Sequence, residues 1–482
     1  MGSIKIKNKA LRYNLIASLF LIIVQLLSMS IASHTLENSA LGVYGIYLSI
    51  LSISLFISDM GVSTALIKLG WNSKEQLAQV FTINVFIGGV TSFILFMLAN
   101  EAEIFFKAEG LALYIYITAI AAFLNSISKF FIAILNYELS LMFVAKIEFF
   151  TKALASIFSL VYLLYNKSML GFAFSQILLF SIQLLICVLF FEFKKRLRFD
   201  FKENLVRKHI SFSIGRTFES SSNQLTQNID TFLISKIFGL EILGIYIIVK
   251  QVVLKPLQII NPIFVKVYLP IICKYKLLAD IREGYTALSS LLFFISILVL
   301  FSSMYFIGTG IFPLIKLNTD MEVYFYCIMC VWGALRSWSS PIGVFYIATL
   351  SNKKGIKFNF ISFFILSTFL FLIAGLNFSL VGLAIALVAS QISVLIAQHC
   401  YILRYSFLEV VKLFSNEYKS IVIALISFLL PGLYYLVLKE YLNIIFLIIS
   451  SLLMTYLFLF ILSKKFGNNA LDSILTLVRP RA

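Results

Sequence analysis

The chain has 482 residues, of which 61% are hydrophobic and only 13% charged, with a mean hydropathy of +0.98 and a formal net charge of +17. Soluble globules carry about 25% charge, and the apolar residues here come in runs rather than amphipathic patterns, so an assembly of soluble domains is excluded. Runs of about 20 apolar residues are long enough to cross a hydrocarbon core.

The N-terminus is basic (Lys5, Lys7, Lys9, Arg12), and an apolar run over 14–33 follows it. That run exceeds the about 7–15 residues of a signal-peptide core, so it reads as an uncleaved first span. Further spans are expected near 43–67, 78–99, 111–135, 142–165 and 169–191. After a basic stretch they resume near 210–235, 243–272, 286–312, 322–349, 356–375 and 379–403, and two more fall near 418–438 and 442–462. The expected fold class is an all-α integral membrane protein of about 14 transmembrane helices.

Lysine and arginine collect on cytoplasmic loops. With the N-terminus inside, 28 of the 39 basic residues fall on inside segments and 5 on outside ones. Both termini are therefore expected in the cytoplasm. The positive charge needs no nucleic acid to explain it, because this topology and anionic lipid headgroups account for it. The outside loops are short, which leaves no room for the carboxylate-bearing loop of a membrane polymerase or glycosyltransferase. No cofactor is expected. The Gly-rich phosphate loop ending in Lys-Ser/Thr is missing, and His34, His209 and His399 lie far apart. Cys327-x-x-Cys330 sits inside a span and, like Cys187, Cys273 and Cys400, reads as a free thiol.

Leu41-Gly-Val-Tyr-Gly-Ile-Tyr47 recurs as Leu240-Glu-Ile-Leu-Gly-Ile-Tyr246, 199 residues and six spans later. An even number of spans gives parallel copies, the arrangement in which two lobes enclose a central cavity. The expected organisation is a six-span lobe over 1–191, a basic cytoplasmic linker over 192–209 and a second lobe over 210–404. Residues 405–482 supply a cytoplasmic loop, the two extra spans and a tail.

Polar groups at membrane depth are costly, so each is a functional candidate. Arg216, Glu219, Ser220, Asn223, Gln227 and Asp230 fall three or four apart in the seventh span, which places them on one stripe. Asn14, Ser18, Gln25 and Ser28 do the same in the first span, and Ser49, Ser52, Asp59 and Ser63 in the second. Gln251, Lys255, Gln258 and Pro262 share a face of the eighth, with Lys250 beside them. These spans correspond in the repeat, so their stripes are expected to face one aqueous cavity. Hydrogen bonding between helices is the alternative reading, and an Arg216–Glu219 pair is a further structural one. Lys152, Lys250, Lys255, Arg216 and Arg336 make the cavity cationic, which suits an anion: arginine grips phosphate with a planar fork, lysine as a point charge. Pro256, Pro262, Pro270 and Pro341 are expected to bend their spans.

The run Asn228-Ile-Asp230-Thr-Phe-Leu-Ile-Ser-Lys-Ile-Phe-Gly239-Leu-Glu-Ile-Leu-Gly244-Ile-Tyr246 resembles the signature of polysaccharide flippases of the O-antigen (Wzx) type. Pro256-Leu-Gln-Ile-Ile-Asn-Pro262 and Tyr268-Leu-Pro270 continue it, and Gly42-Val-Tyr-Gly45-Ile-Tyr47 with Asp59-Met-Gly61 echo it in the second span. The resemblance implies the fold of the multidrug/oligosaccharidyl-lipid/polysaccharide exporter superfamily in the bacterial inner membrane. It also implies ion-coupled flipping of undecaprenyl-pyrophosphate-linked oligosaccharides to the periplasmic leaflet. A polysaccharide polymerase and a chain-length regulator are the implied protein partners. Asp230, Glu219 and Asp59 are the candidates for ion coupling. The first span lacks the Arg-Asp pair of peptidoglycan-precursor flippases, which argues against that substrate. Two alternatives stand beside this reading: a drug or metabolite exporter of the same superfamily, and a polymerase or ligase of the same glycan pathway.

Overall fold

The computed structural model describes residues 20–71, 73–138, 140–190, 207–273, 275, 277–308, 315–317, 319–349, 352–375, 379–406 and 408–410. Among them there is no strand. The helices are α1 (Phe20–Thr35), α2 (Asn38–Asp59), α3 (Val62–Leu69), α4 (Lys74–Phe106), α5 (Leu111–Tyr137), α6 (Leu141–Asn166) and α7 (Leu170–Phe190). They continue as α8 (Arg207–Ile272), α9 (Leu278–Gly308), α10 (Asp320–Ser339), α11 (Ile342–Ala348), α12 (Asn352–Gly375) and α13 (Leu380–Tyr401). Nine helices among the described residues are long and apolar enough to cross a membrane, which bears out the all-helical membrane class. The spans expected at 418–438 and 442–462, and most of the basic linker, lie outside the described residues.

Three breaks shape the helices. The span expected over 43–67 divides after Asp59, where Met60 (φ 42°) and Gly61 (φ 65°) both take the left-handed conformation. The Asp59 carboxylate bridges this break by accepting from the Ser63 amide at 3.4 Å and from the Ser63 hydroxyl. The expected span over 322–349 divides between α10 and α11 at Ser340–Pro341, where proline cannot supply a helical donor.

The third break is Gly239, whose φ of 83° and ψ of 178° separate α8 into limbs 207–238 and 240–272. A straight helix would hold residues 16 apart at about 24 Å, yet the Tyr246 hydroxyl donates to Asp230 Oδ2 at 2.5 Å. The chain therefore reverses at Gly239, and the limbs correspond to the expected seventh and eighth spans. Backbone angles stay helical through Pro256, Pro262 and Pro270, so these prolines do not interrupt the second limb.

The chain forms two compact units, Met1–Ile248 and Val249–Ala482, with the boundary inside the second limb of α8. In the first unit the two copies of the repeat pack on each other. A Cβ on Gly42 would lie 2.2 Å from the Leu240 carbonyl oxygen, and one on Gly244 would lie 1.9 Å from that of Asn38. A Cβ on Gly45 would meet the Ile247 side chain at 2.3 Å. The glycines are thus the means by which α2 and the second limb approach backbone to backbone, as small residues do between membrane helices. The tyrosines that end each copy, Tyr47 and Tyr246, are fully buried at 1% and 0% exposure. Tyr47 stacks in a cluster with Tyr44, Tyr114 and Phe172.

In the second unit, apolar packing joins the end of α8 to α9, α11, α12 and the residues after α13 through Tyr268, Ile272, Tyr285, Phe345, Phe358 and Leu403. Gly333 of α10 lies against Val253, where a Cβ would meet its Cγ1 at 2.3 Å.

Gly244→Ala should force the crossing apart and cost about 1–3 kcal/mol, as overpacking of a tight site does. Gly343→Ala, where nothing lies within 4 Å, is the control. Thermal unfolding in detergent should show a lowered midpoint for Gly244→Ala alone.

Candidate functional site

Within the first unit, the first limb of α8 reaches the α2 stripe through Asn228, a residue outside its own predicted stripe. The Asn228 side-chain amide donates to Ser52 Oγ at 3.0 Å and to the Gln224 carbonyl at 2.8 Å. Asn223 and Gln227, on the same limb, are exposed, and Gln25 of α1 is partly exposed. These amides form a polar strip on the surface of the first unit. Ser49, by contrast, is buried and donates back to the Gly45 carbonyl at 3.2 Å. Near the end of that first limb Lys236 donates to the Phe105 carbonyl and lies 3.7 Å over the Phe105 ring, while Phe106 stacks on Phe232.

The acidic candidates have structural partners. Asp230 is 2% exposed and accepts from the Thr231 amide (2.7 Å) and hydroxyl (3.3 Å) as well as from Tyr246. That set of donors fixes the carboxyl group in place and ties the two limbs together. Asp59 bridges the α2–α3 break, and Lys129 of α5 lies close enough to act on it electrostatically. Lys152 forms an ion pair with Glu148 one turn earlier at 3.3 Å, with the side chain 47% exposed. Its charge is therefore partly balanced on its own helix. Asn14 and the side chains of Arg216, Glu219 and Ser220 lie outside the described residues.

The second unit holds the remaining cations. Lys250 is buried, while Gln251, Lys255 and Arg336 are partly exposed. The Gly333–Val253 contact sets α10 beside the second limb, the two helices that carry Arg336 and Lys255. The Arg336 guanidinium lies 4.9 Å over the Trp332 ring, a cation–π contact that fixes the plane of the fork. Lys255 forms no salt bridge among the described residues.

A polar network that the sequence reading missed runs beside these cations. Ser337 donates to the Asn261 side-chain oxygen (3.1 Å) and Asn261 donates to Ser340 Oγ (3.1 Å). Gln391 donates to Ser339 Oγ at 3.1 Å, and Gln398 to the Tyr285 hydroxyl at 2.6 Å. The available signals were the Ser-Ser-Pro break after Trp338, and two glutamines seven residues apart on α13, which two helical turns place on one face.

A family model described as polysaccharide biosynthesis protein matches residues 33–311. The chain belongs to that family. The match spans both stretches that carried the resemblance, which is thereby borne out. Relatives include WzxC of Escherichia coli, a lipopolysaccharide biosynthesis protein, which is 24% identical over 75% of this chain and 73% of its own length. TuaB of Bacillus subtilis, a teichuronic acid biosynthesis protein, is 26% identical over 61% of each chain. Among solved structures, the lipid II flippase MurJ in an inward closed conformation superposes with a TM-score of 0.67 at 15% identity, covering 94% of this chain and 98% of that one. An outward-facing multidrug transporter of the MATE family gives 0.58 at 15% identity, over 80% and 93%. These superpositions show that the chain shares the all-helical membrane fold of both proteins.

Tyr246→Phe removes one donor from a buried carboxylate and should cost about 1–3 kcal/mol. The expected readout is a lowered unfolding midpoint with Asp230→Asn showing a smaller further loss in the Tyr246→Phe background than alone, since both changes strike one interaction.

Proposed function

We propose that the chain is a flippase carrying undecaprenyl-pyrophosphate-linked oligosaccharide repeat units from the cytoplasmic to the periplasmic leaflet, for O-antigen or a related surface polysaccharide. The observation that carries this reading is Lys255. It is a partly exposed lysine in a membrane-crossing helix, without a salt bridge among the described residues, and the helix that packs against it carries Arg336. A cation left at such depth costs several kcal/mol unless water or a mobile anion reaches it. Cations of two shapes on packed helices suit a pyrophosphate, an arginine fork taking two oxygens and a lysine a third. Family membership favours an anion attached to a glycan.

Transport is by alternating access, driven by an ion gradient and involving no enzymatic step. Glu219 and Asp59 are the coupling carboxylates, whereas Asp230 anchors the α8 hairpin. Arg216, Lys250 and Lys152 are the secondary cations for the substrate, while Asn14, Gln25, Asn223, Gln227 and Gln251 line the polar path. The chain sits in the inner membrane with both termini cytoplasmic, as two six-span halves plus the terminal pair. A polymerase and a chain-length regulator take over the delivered units.

Arg336→Ala and Lys255→Ala should each abolish surface polysaccharide while leaving the amount of membrane-inserted protein unchanged. Lipid-linked repeat units should then accumulate in the cytoplasmic leaflet. Surface polysaccharide at the wild-type level in both variants would sink the assignment.

A further inference from the structure

The second limb of α8 displays more polar surface than a pyrophosphate uses. Residues three apart on a helix shift round its axis by about 60° and along it by about 4.5 Å. Lys255, Gln258 and Asn261 thus form a short spiral that starts at the cation and ends against α10. Asn261 is held there by Ser337 and Ser340. Gln258, between them, is exposed and makes no hydrogen bond among the described residues. A bare amide in a membrane-crossing helix cannot rest in lipid, so this face is open to water or to a polar ligand.

Two further elements bring the same chemistry. Ser340 is exposed at the break before Pro341, and Gln391 of α13 uses its amide nitrogen on Ser339, which leaves its side-chain oxygen as an acceptor without a donor among the described residues. The face of the second limb past Lys255 and the Ser339–Pro341 break on α10 therefore carry neutral donors and acceptors. Phosphate oxygens only accept, so side-chain acceptors such as the Gln391 oxygen have nothing to offer them. Sugar hydroxyls both donate and accept.

We propose that Gln258, Asn261, Ser340 and Gln391 form a sugar subsite, distinct from the cations that hold the pyrophosphate. It rests on the flippase reading above and assigns the glycan end of that substrate. Asn261 doubles as a clamp between helices, so the informative change is Gln258→Leu, which breaks no described bond within the protein.

The test uses full-length protein in nanodiscs and two probes: undecaprenyl pyrophosphate without sugar, and lipid-linked repeat units extracted from a strain lacking the transporter. Wild-type protein should bind the glycan-bearing lipid more tightly than the bare one. Gln258→Leu and Gln391→Ala should each weaken the glycan-bearing lipid about tenfold, equivalent to ~1.4 kcal/mol, and leave the bare lipid unchanged. Arg336→Ala should weaken both. Unchanged glycan binding in Gln258→Leu, or an equal loss for both probes, overturns the subsite. Equal wild-type affinity for the two probes overturns it as well while leaving the flippase reading intact. Failure of wild-type protein to bind either lipid overturns the flippase reading itself.

Discussion

Three glycines allow two helices of the first unit to approach until a carbonyl oxygen fills the place of a side chain. Gly42 faces Leu240, Gly244 faces Asn38 and Gly45 receives Ile247. In a bilayer apolar side chains gain little by leaving lipid for protein, so close packing and hydrogen bonds between helices must hold the structure. This crossing supplies the packing. Asn228 on Ser52 and Tyr246 on Asp230 supply hydrogen bonds around it. The placement of the α8 hairpin, and so the surface formed by Asn223 and Gln227, depends on that approach.

The repeat and the crossing are two views of one fact. Each copy carries a glycine two residues before a buried tyrosine, Gly45 before Tyr47 and Gly244 before Tyr246, and the first copy adds Gly42. The copies are partners as well as homologues in sequence, with the start of each copy set against the start of the other. Duplication of one such segment creates its own docking site, which gives a physical reason for the motif to occur twice.

Much of the fold could be read from the chain because the bilayer imposes one dominant constraint. Apolar runs had to be helices, and basic residues had to alternate between loops. The reversal at Gly239 falls between two polar-striped runs that hydropathy already separates. The other breaks were harder to read. Met60–Gly61 interrupts an apolar run that hydropathy treats as continuous, because what matters there is the left-handed backbone that Gly61 tolerates and Asp59 supports. At the candidate site, stripes gave faces by spacing but could not show partners. Asp230 shares a stripe with the exposed Gln227 only by spacing; in space it is buried beneath Tyr246. Lys152 likewise read as a free cation until its neighbour Glu148 was seen beside it. Asn261, hidden next to Pro262, and the pair Gln391 and Gln398 acquire meaning only when α10 is placed alongside them.

The second limb of α8 belongs to both compact units, since the boundary falls at Ile248–Val249 within an unbroken helix. A hydrogen-bonded helix is stiff, so displacement at one end reaches the other unless something yields. Pro256 and Pro262 lie just past that boundary, and each deletes one rung of the helical ladder without ending the helix. The limb thus keeps a continuous helical backbone with two rungs missing, from Gly244 to the apolar cluster around Tyr268 and Ile272. Lys255 and Gln258 flank Pro256 on this stretch, within one turn of a missing rung.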